Sequence, residues 1–383
     1  MPVDGKPKNN PEQMIAIAGA GIAGLAAALA VGRAGHSTQI FGHIPKALPG
    51  GIQLAPNGWQ ALERLGVHDD VVARATRLTD ITVRNLDNGA TITRLPLDDH
   101  YASISRAALI ETLASALSTV PNIEFTNTSI RDIAQNDGGL NLVSDDGSLF
   151  HADGVIGADG LHGYARRYVL SQDLQYNGSN PVKTAMRLQL PAAMLPASFS
   201  SPSSNLWLGR GVHVVHYPIG GDVNIVVTLP SHKATTGWAE RLFPSHSPLA
   251  SLGKGDLIWN AQPLPSAFSS ACWRRGPVVL AGDAAHIMPP HLAQGAGQSL
   301  QDAACLYHAL EGRRTIIEAF SAYASERAKA VSKIATKAEI SGKVMGLNGP
   351  AARLRNMVLD IGGNSLMRGW LAEVWAGDTT LDR

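Results

Sequence analysis

Residues 14–34 read MIAIAGAGIAGLAAALAVGRA. The first five residues are β-like, and an alanine-rich, helix-like stretch follows the glycines. Between them lies Gly19-Ala20-Gly21-Ile22-Ala23-Gly24, which has the spacing G-x-G-x-x-G. In this motif the first glycine allows a tight turn, the second lets a pyrophosphate approach the backbone, and the third lets the helix pack closely on the strand. The stretch therefore predicts a strand–turn–helix unit that binds a dinucleotide.

The uncharged run from Met14 to Gly32 is also long enough to be considered as a membrane span or signal peptide. It holds four glycines and eight alanines but few large apolar residues. A strand, a glycine turn and a buried helix explain this composition better than a transmembrane segment does. We therefore expect no membrane association, and residues 1–13 are predicted to be a flexible tail.

The composition of the whole chain is that of a folded protein. Of its 383 residues, 45% are hydrophobic and 16% are charged, and the formal net charge is +1. Such a balance gives no reason to expect nucleic acid as a partner. Cys272 and Cys305 are the only cysteines; they exclude a disulfide framework and fit a reducing cytoplasm. The histidines lack metal-binding spacing, so no metal is predicted. The sequence is compatible with either a monomer or a homodimer.

The order of the predicted elements indicates an α/β protein with two lobes. Residues 14–178 and 261–345 are predicted to form a Rossmann-like lobe. Alternating strands within residues 179–260 predict an antiparallel sheet that interrupts this lobe and supplies the substrate-binding domain. Residues 346–383 are predicted to be a helical segment at the C-terminus.

Two further strand ends carry polar or glycine-rich motifs. Asp159-Gly160 follows a buried strand, and Gly282-Asp283 follows another. Shortly afterwards, Gly295-Ala296-Gly297 begins a predicted helix. A carboxylate at a strand end can accept hydrogen bonds from ligand hydroxyls, and a helix N-terminus can stabilise negative charge on a ring system. Together with the first motif, this pattern predicts an extended ligand with a pyrophosphate at one end and an acceptor ring at the other, as in FAD.

The end of the second predicted strand lacks an expected feature. Dinucleotide-binding folds usually place an acidic residue there to hold the adenosine ribose, and this sequence has Gly42. Neither Asp nor Glu lies within several residues of it. The sequence therefore leaves open how the ribose is held, and also leaves open a ligand with a 2′-phosphate near His43 and Lys46.

The set of Gly19-x-Gly21-x-x-Gly24, Arg106, Asp159-Gly160 and Gly282-Asp283 resembles that of the single-component FAD-dependent aromatic hydroxylases of the para-hydroxybenzoate hydroxylase type. Residues 51–57 and 282–297 most resemble the salicylate and 6-hydroxynicotinate hydroxylase branch, and the resemblance extends from about residue 14 to 340. It implies a monooxygenase that uses FAD, NADH or NADPH, and dioxygen. Such an enzyme hydroxylates a small phenolic or hydroxylated N-heteroaromatic substrate through a C4a-hydroperoxyflavin.

The resemblance also implies which residues bind the cofactor. The glycine motif would hold the pyrophosphate, Arg106 the diphosphate–ribityl region, and Asp283 the ribityl hydroxyls. Asp159 would serve both FAD and the nicotinamide cofactor. Since family members usually have Glu at the position of Gly42, FAD is expected to bind more weakly here. The complete set of implied cofactor residues is Gly19, Gly21, Ala23, Gly24, Arg106, Ile130, Asp159, Gly160, Asp283, Gly295, Ala296 and Gly297.

Three residues are candidates for catalysis. An electrophilic oxygen needs an electron-rich ring, so the site needs a base near the ring hydroxyl and apolar walls that exclude water. His291 is the candidate base or substrate anchor, Tyr217 matches an active-site tyrosine of the branch, and Gln53 lies where the family's second segment approaches flavin and substrate. A structural role is the alternative for each of them. Arg187 either pairs with a substrate carboxylate or is structural.

The sequence is also compatible with two other functions. The chain could be an NAD(P)-dependent dehydrogenase that uses the N-terminal glycine motif alone, in which case Gly282-Asp283 has no role. It could also be a degenerate flavoprotein that acts as a sensor. The sequence does not specify the aromatic substrate, the choice between NADH and NADPH, or whether hydroxylation is coupled to decarboxylation.

Overall fold

The computed structural model describes most of the chain, including all three glycine-bearing motifs. The residues described are 13–45, 49–98, 100–170, 182–264, 268–269, 272–313 and 315–377. The predicted N-terminal tail lies outside them except for Gln13, and so does Lys46.

A six-stranded sheet forms the centre of the first lobe. Its neighbouring pairs are parallel, apart from one antiparallel pair at the edge. Because parallel strands end at one edge of the sheet, the segments that follow them lie side by side there. In spatial order the strands are Arg274–Arg275, Val278–Leu280, Gly154–Gly157, Met14–Ala18, Ser37–Phe41 and Ile123–Thr126.

The alanine-rich helix Ile22–Arg33 lies in the core of this lobe. Its residues 24–32 are buried, and it packs against helices Arg106–Leu117 and Gly295–Glu311. Small side chains are required because the helix is covered on several sides, which explains the uncharged run seen in the sequence. The other helices of this part of the chain are Pro56–Arg64, His68–Val72, Tyr164–Leu170 and Ile316–Met345.

A seven-stranded sheet forms the second lobe. It is antiparallel except where Ser203–Leu208 pairs in parallel with Asp80–Asn85. The hairpin over residues 80–96, which the sequence places within the segment 14–178, thus extends this sheet rather than the six-stranded one. In spatial order its strands are Asn260–Pro263, Lys183–Pro191, Asp222–Pro230, His213–Ile219, Ser203–Leu208, Asp80–Asn85 and Thr91–Pro96.

The last helix, Gly349–Trp375, covers the edge of this sheet. A Cβ at Gly363 would lie 2.8 Å from Thr93, and Asn364 donates a hydrogen bond of 3.1 Å to the Arg94 carbonyl.

The mixed α/β class, the antiparallel sheet and the helical C-terminus predicted from the sequence are therefore confirmed. None of the helices in the described residues has the length and apolar character needed to span a bilayer.

The remaining elements are short. Gly51–Leu54, Ala102–Ser105 and Thr76–Arg77 form a small sheet, as do Leu149–Ala152, Gly139–Ser144 and Ile130–Asn136, and Phe268–Ser269 pairs with His286–Ile287. The short helix Trp238–Leu242 and single-turn 3-10 helices complete the described structure. The 3-10 helices are Ala192–Met194, Ala197–Ser200, Ser231–Lys233, Ala250–Gly253, Gly282–Ala284 and Pro290–Leu292.

His216 makes the stability of the second lobe dependent on pH. Its ring is buried against Phe199, with 4.5 Å between ring centroids. Burial, helped by the charge of Arg84, lowers the pKa of His216 to about 3. In the unfolded chain a histidine titrates near ~6.5, so between these values the unfolded state binds a proton that the native state does not. The contribution of His216 to the free energy of unfolding is therefore complete above pH ~6.5, the pKa in the unfolded chain, and is lost as the pH falls from there toward 3.

We therefore expect His216→Gln to weaken the acid sensitivity of the protein. Urea unfolding of both proteins between pH 7 and pH 4 gives the slope of unfolding free energy against pH. The slope of the variant should be smaller by about one bound proton, or about 1.4 kcal/mol per pH unit. Equal slopes in the two proteins would show that His216 does not carry this effect.

Candidate functional site

A large cleft lies where the carboxyl ends of the parallel strands meet the face of the seven-stranded sheet. Its volume of about 1360 Å³ exceeds the roughly 300–1,000 Å³ that is usual for small-ligand pockets, so it can take an extended ligand. Most of the residues that the sequence predicts for the site line it. They are Gly19, Gly21, Ala23, Gln53, Arg106, Ile130, Asp159, Gly160, Tyr217, Asp283, His291, Gly295 and Ala296.

Two predicted residues, Gly24 and Gly297, are buried and are not among the residues lining the cleft. A Cβ at Gly24 would overlap the carbonyl of Gly19, so this glycine is needed for helix packing. A Cβ at Gly297 would make only ordinary contacts, with Gln294 at 3.6 Å and Asn57 at 3.8 Å. Both residues belong to the elements that carry the site rather than to its surface.

The first glycine turn combines two different requirements. Gly19 has φ +110°, and a Cβ there would overlap the Ala158 carbonyl, so the fold itself requires glycine. Gly21 has φ −82°, and a Cβ there would have no atom of the chain within 4 Å. Nothing in the fold requires glycine at this position. The position leaves room for a ligand to approach the backbone, as expected for the second glycine of this motif.

The second glycine turn lies directly against the first. Gly282 has φ +58°, and a Cβ there would lie 2.5 Å from the Cβ of Ala23. Asp283 follows on the surface of the cleft, beside Gly295 and Ala296 in the first turn of the helix Gly295–Glu311. Like Gly21, Gly295 would place an added Cβ in open space. The positive potential of two helix N-termini is therefore directed into one cleft.

A buried ionic network behind the second turn holds it in place. Asp302 accepts hydrogen bonds from the Gly282 amide at 2.8 Å, from His286 Nε2 at 2.7 Å and from Arg327 Nε at 2.8 Å. Burial acts to raise the pKa of Asp302, but His286 and Arg327 outweigh it and the net pKa is lowered. The guanidinium of Arg327 also donates to Gln298 Oε1 at 2.7 Å. The carboxylate therefore connects the turn to two long helices.

The same network reaches the segment that carries Gln53. Gln298 and Asn57 both donate to Gln294 Oε1, at 3.0 and 2.8 Å, and Gln301 donates to the Asn57 carbonyl at 3.0 Å. Asn57 lies in the helix Pro56–Arg64, which directly follows the strand Gly51–Leu54. Two walls of the cleft are thus joined by buried amide groups.

We expect Asp302→Asn to destabilise the protein strongly. The amide of asparagine carries no charge to compensate that of the buried Arg327. Its NH2 group would also face one of the donors that now hydrogen-bond to the carboxylate. Breaking a buried ion pair in this way costs about 3–5 kcal/mol. Denaturant unfolding of the variant measures the loss, with the exposed Asp360→Asn as the control that should change little. A loss below about 1 kcal/mol would mean that the network does not hold the turn.

Several buried polar atoms in the cleft lack partners within the described part of the chain, among them Arg106 Nε and Asp159 Oδ1. Arg106 begins a helix capped by Ser105, whose Oγ accepts from the Ala108 amide at 3.1 Å, and its Nε is buried without a hydrogen bond. Asp159 Oδ2 accepts from the Ala165 amide at 2.8 Å, but Oδ1 is buried and unpaired. Burial raises the pKa of Asp159 to about 6, although the hydrogen bond from the Ala165 amide acts to lower it. Such groups are rare in native proteins unless a ligand satisfies them.

These observations fit FAD. The open space at Gly21 suits a pyrophosphate, the exposed carboxylate of Asp283 suits ribityl hydroxyls, and the helix beginning at Gly295 suits the electron-accepting edge of the ring. Arg106, which also lines the cleft, supplies a cation with an unused donor at Nε. The two turns that the sequence predicts to bind one cofactor line one cleft.

The far end of the cleft is formed by the face of the seven-stranded sheet. Along the strand His213–Ile219, His213, Val215 and Tyr217 line the cleft, whereas the buried His216 does not, as the period of two predicts. Burial raises the pKa of Tyr217, which therefore keeps its proton at neutral pH; the nearby Arg187 opposes this shift. Gln53 lies against this tyrosine and accepts a hydrogen bond of 3.0 Å from the Tyr101 hydroxyl.

Two histidine rings meet over the sheet face that carries Tyr217. The rings of His213 and His291 are 5.2 Å apart with an interplanar angle of 65°. Burial, with a smaller effect of Lys183, lowers the pKa of His291 to about 4, and burial lowers the pKa of His213 as well. Both imidazoles are therefore neutral near pH 7. Gly342 makes room for His291, because a Cβ there would overlap the ring. His213 was not predicted as a site residue, although its shared face with Tyr217 could have indicated it.

Arg187 gives this end of the cleft a positive charge. Its Nε donates to Gln262 Oε1 at 2.9 Å. Burial, and then the like charge of Arg106, lowers its pKa, and in the described residues no carboxylate pairs with it. The carboxylates that line the cleft come from other segments; they are Asp145, Asp159 and Asp283. The sheet end of the cleft therefore suits an anion.

Comparison with known proteins agrees with this geometry. Residues 12–338 match the family described as FAD binding domain. The chain is 33% identical over 323 residues to 3-amino-4-hydroxybenzoate 2-monooxygenase of Streptomyces cremeus, covering 78% of this chain and 79% of that protein. It is 28% identical over 365 residues to 6-hydroxynicotinate 3-monooxygenase of Bordetella bronchiseptica, covering 87% and 90%.

The fold is also shared with a solved structure. The complex of HpxO from Klebsiella pneumoniae with FAD and uric acid superposes with a TM-score of 0.79 at 21% identity, covering 95% of this chain and 97% of that one. The family match spans most of the chain, and the relatives are named monooxygenases. The chain therefore belongs to the FAD-binding-domain family and, within it, to the FAD-dependent aromatic hydroxylases.

Proposed function

We propose that this enzyme hydroxylates a small aromatic or N-heteroaromatic acid that carries a ring hydroxyl, using NADH or NADPH and dioxygen. The observation that carries the proposal is the continuity of the cleft. Glycine turns suited to FAD occupy one part of it, and Arg187, Tyr217 and His291 occupy the part against the sheet. A ring anchored at the sheet end therefore faces the cofactor without a separating wall.

The chain's own residues hold the cofactor from both sides. Gly19 and Gly21 admit the pyrophosphate, Arg106 offers its unpaired Nε, and Asp283 accepts hydroxyl hydrogen bonds. When bound and reduced by the nicotinamide cofactor, FAD supplies the chemistry that activates dioxygen. Asp159, with one unpaired carboxylate oxygen, is the proposed contact for both FAD and the nicotinamide cofactor.

Arg187, Tyr217 and His291 orient the aromatic ring. The guanidinium of Arg187 pairs with the substrate carboxylate, a charge-assisted contact that also sets the ring's direction. The protonated hydroxyl of Tyr217, held by Gln53, donates a hydrogen bond to the substrate. Neutral His291 accepts a hydrogen bond from the ring hydroxyl at Nδ1, which is buried without a partner in the described structure. This hydrogen bond polarises the O–H bond and makes the ring more electron-rich.

Apolar side chains complete the wall around the ring. The apolar residues that line the cleft include Val215 and Val226 from the sheet, Met288 and Pro290 from the loop before His291, and Met345 at the end of the long helix. Such a wall keeps water away from the reacting atoms, which protects an activated oxygen species from loss. Relatives named for hydroxybenzoate and hydroxynicotinate substrates support this substrate class.

A substrate screen tests the proposed function. Purified protein supplied with FAD is assayed for NADH and NADPH oxidation in the presence of hydroxylated benzoates and pyridinecarboxylates, and product masses are measured. We expect at least one hydroxylated acid to accelerate oxidation and to gain one oxygen. Binding of FAD without acceleration by any compound would favour a flavin-binding sensor. NAD(P)-dependent oxidation of alcohols without flavin would favour a dehydrogenase.

A further inference from the structure

We propose that His43 accepts a hydrogen bond from the adenosine ribose of FAD, in the place where dinucleotide-binding folds usually have a carboxylate. This inference rests on the binding of FAD in the cleft. It concerns how the chain compensates for Gly42, which has no side chain to offer the ribose.

The position of His43 is right for this contact. It follows the strand Ser37–Phe41, the second strand of the glycine-motif unit, and lines the cleft together with Gly19 and Gly21. In such units the ribose lies at the carboxyl end of the second strand. His43 is the first residue after that strand with a side chain able to form hydrogen bonds.

An acidic residue at position 42 would not fit this backbone. Gly42 has φ +146°, a conformation that L side chains rarely adopt. A Cβ there would lie 2.9 Å from the Ala20 amide nitrogen, within the first glycine turn. The Gly42 amide also donates to the Thr126 carbonyl at 3.2 Å, which holds this conformation against the next strand. At position 42 the chain therefore has a tight contact between two turns, and a carboxylate side chain has no room there.

Asn127 orients the ring of His43 for this role. The His43 Nδ1 and Asn127 Oδ1 atoms are 2.6 Å apart. An amide oxygen can only accept, so Nδ1 carries the proton and donates it. The neutral ring then has its lone pair on Nε2, which is the acceptor that a ribose hydroxyl needs. Asn127 directly follows the neighbouring strand Ile123–Thr126, so both residues come from the same sheet edge.

A carboxylate acceptor also lines the cleft. Asp145 lines it beside Ser129, whose carbonyl accepts from the Asp145 amide at 2.9 Å. Asp145 follows the strand Gly139–Ser144 of a separate three-stranded sheet rather than a strand of the parallel sheet. Position therefore favours His43, and the experiment compares the two residues directly.

The test measures dissociation constants of two flavins for the apoprotein, by quenching of flavin fluorescence. One is FAD, and the other is an FAD analogue whose adenosine ribose lacks both hydroxyls. Wild type should bind the analogue about 3- to 10-fold more weakly than FAD, as expected for one lost hydrogen bond. His43→Ala should bind FAD more weakly by a similar factor and should no longer distinguish the two flavins. Asn127→Ala should lose part of the discrimination.

Two control variants distinguish a ribose contact of His43 from a general effect of losing a histidine and from a contact made by Asp145. His308→Ala alters an exposed histidine outside the cleft and should behave as wild type. The proposal is overturned if His43→Ala still discriminates between the flavins, or if Asp145→Asn abolishes discrimination in its place. Equal affinity of the wild type for both flavins also overturns it. Failure of the wild type to bind any FAD would instead contradict the proposed function.

Discussion

Replacing Gly21 by alanine should lower the affinity for FAD by roughly 10- to 100-fold, the effect of about 1–3 kcal/mol of overpacking against a ligand. The backbone angles of Gly21 suit any residue, and an added methyl group meets no atom of the chain. It would point instead into the cleft, where the second glycine of this motif lets the pyrophosphate approach. The variant should therefore fold with nearly unchanged stability. Fluorescence titration of the apoprotein with FAD measures the affinity.

Gly24→Ala is the matched control because its methyl group would overlap the Gly19 carbonyl inside the fold. That variant should lose stability, and any weaker FAD binding should accompany unfolding. If Gly21→Ala bound FAD as tightly as wild type does, the pyrophosphate would not lie over this turn. If it unfolded, Gly21 would be required for packing of the fold rather than for approach of the ligand.

Replacing Arg187 by methionine should reduce kcat/KM for carboxylated substrates by roughly 10- to 100-fold, mainly through KM. Hydrogen bonds to charged groups contribute about 1.5–3 kcal/mol, which corresponds to this range. Methionine keeps much of the side-chain length and removes the charge. Because burial already disfavours the Arg187 cation and it has no paired carboxylate in the described structure, its loss should not destabilise the fold. Steady-state kinetics with the best acid from the screen measures the effect.

A substrate analogue without the carboxylate serves as the control for Arg187. Wild type and Arg187→Met should have similar kcat/KM values for this analogue, since the lost contact is absent in both cases. Arg187→Lys should give an intermediate value because an ammonium group cannot reproduce the two-pronged contact of a guanidinium. Equal losses for the acid and the analogue would show that Arg187 supports the cofactor or the sheet instead.

Local patterns in the sequence were sufficient to predict the strand–turn–helix unit whose glycine turn lines the cleft. The strand Met14–Ala18, the helix Ile22–Arg33 and the glycine spacing are contiguous, and their geometry depends on neighbouring residues. Gly21 faces open space whereas Gly24 is packed against Gly19, as the roles of the second and third glycines in this motif predict. That difference depends on the path of the helix over the turn.

The sheet end of the cleft was harder to predict from the sequence because its contacts join residues that are far apart in the chain. The parallel pairing of Asp80–Asn85 with Ser203–Leu208 joins segments more than a hundred residues apart, and nothing local in the hairpin indicates it. The period of two along the strand is enough to place His213 on the same face as Tyr217. The contact of His213 with His291, however, depends on a loop from the other lobe. The roles of His291, Tyr217 and Gln53 remain predictions that substrate kinetics of variants can test.

The most direct measurement of the central claim is the origin of the oxygen in the product. The FAD-loaded enzyme, NAD(P)H and the acid that most accelerates oxidation are incubated under isotopically labelled dioxygen, and the product is analysed by mass spectrometry. If the cleft places an aromatic acid beside flavin-activated oxygen, the product carries one labelled oxygen atom. A product whose new oxygen is unlabelled, or NAD(P)H oxidation that leaves the acid unchanged, would contradict this account.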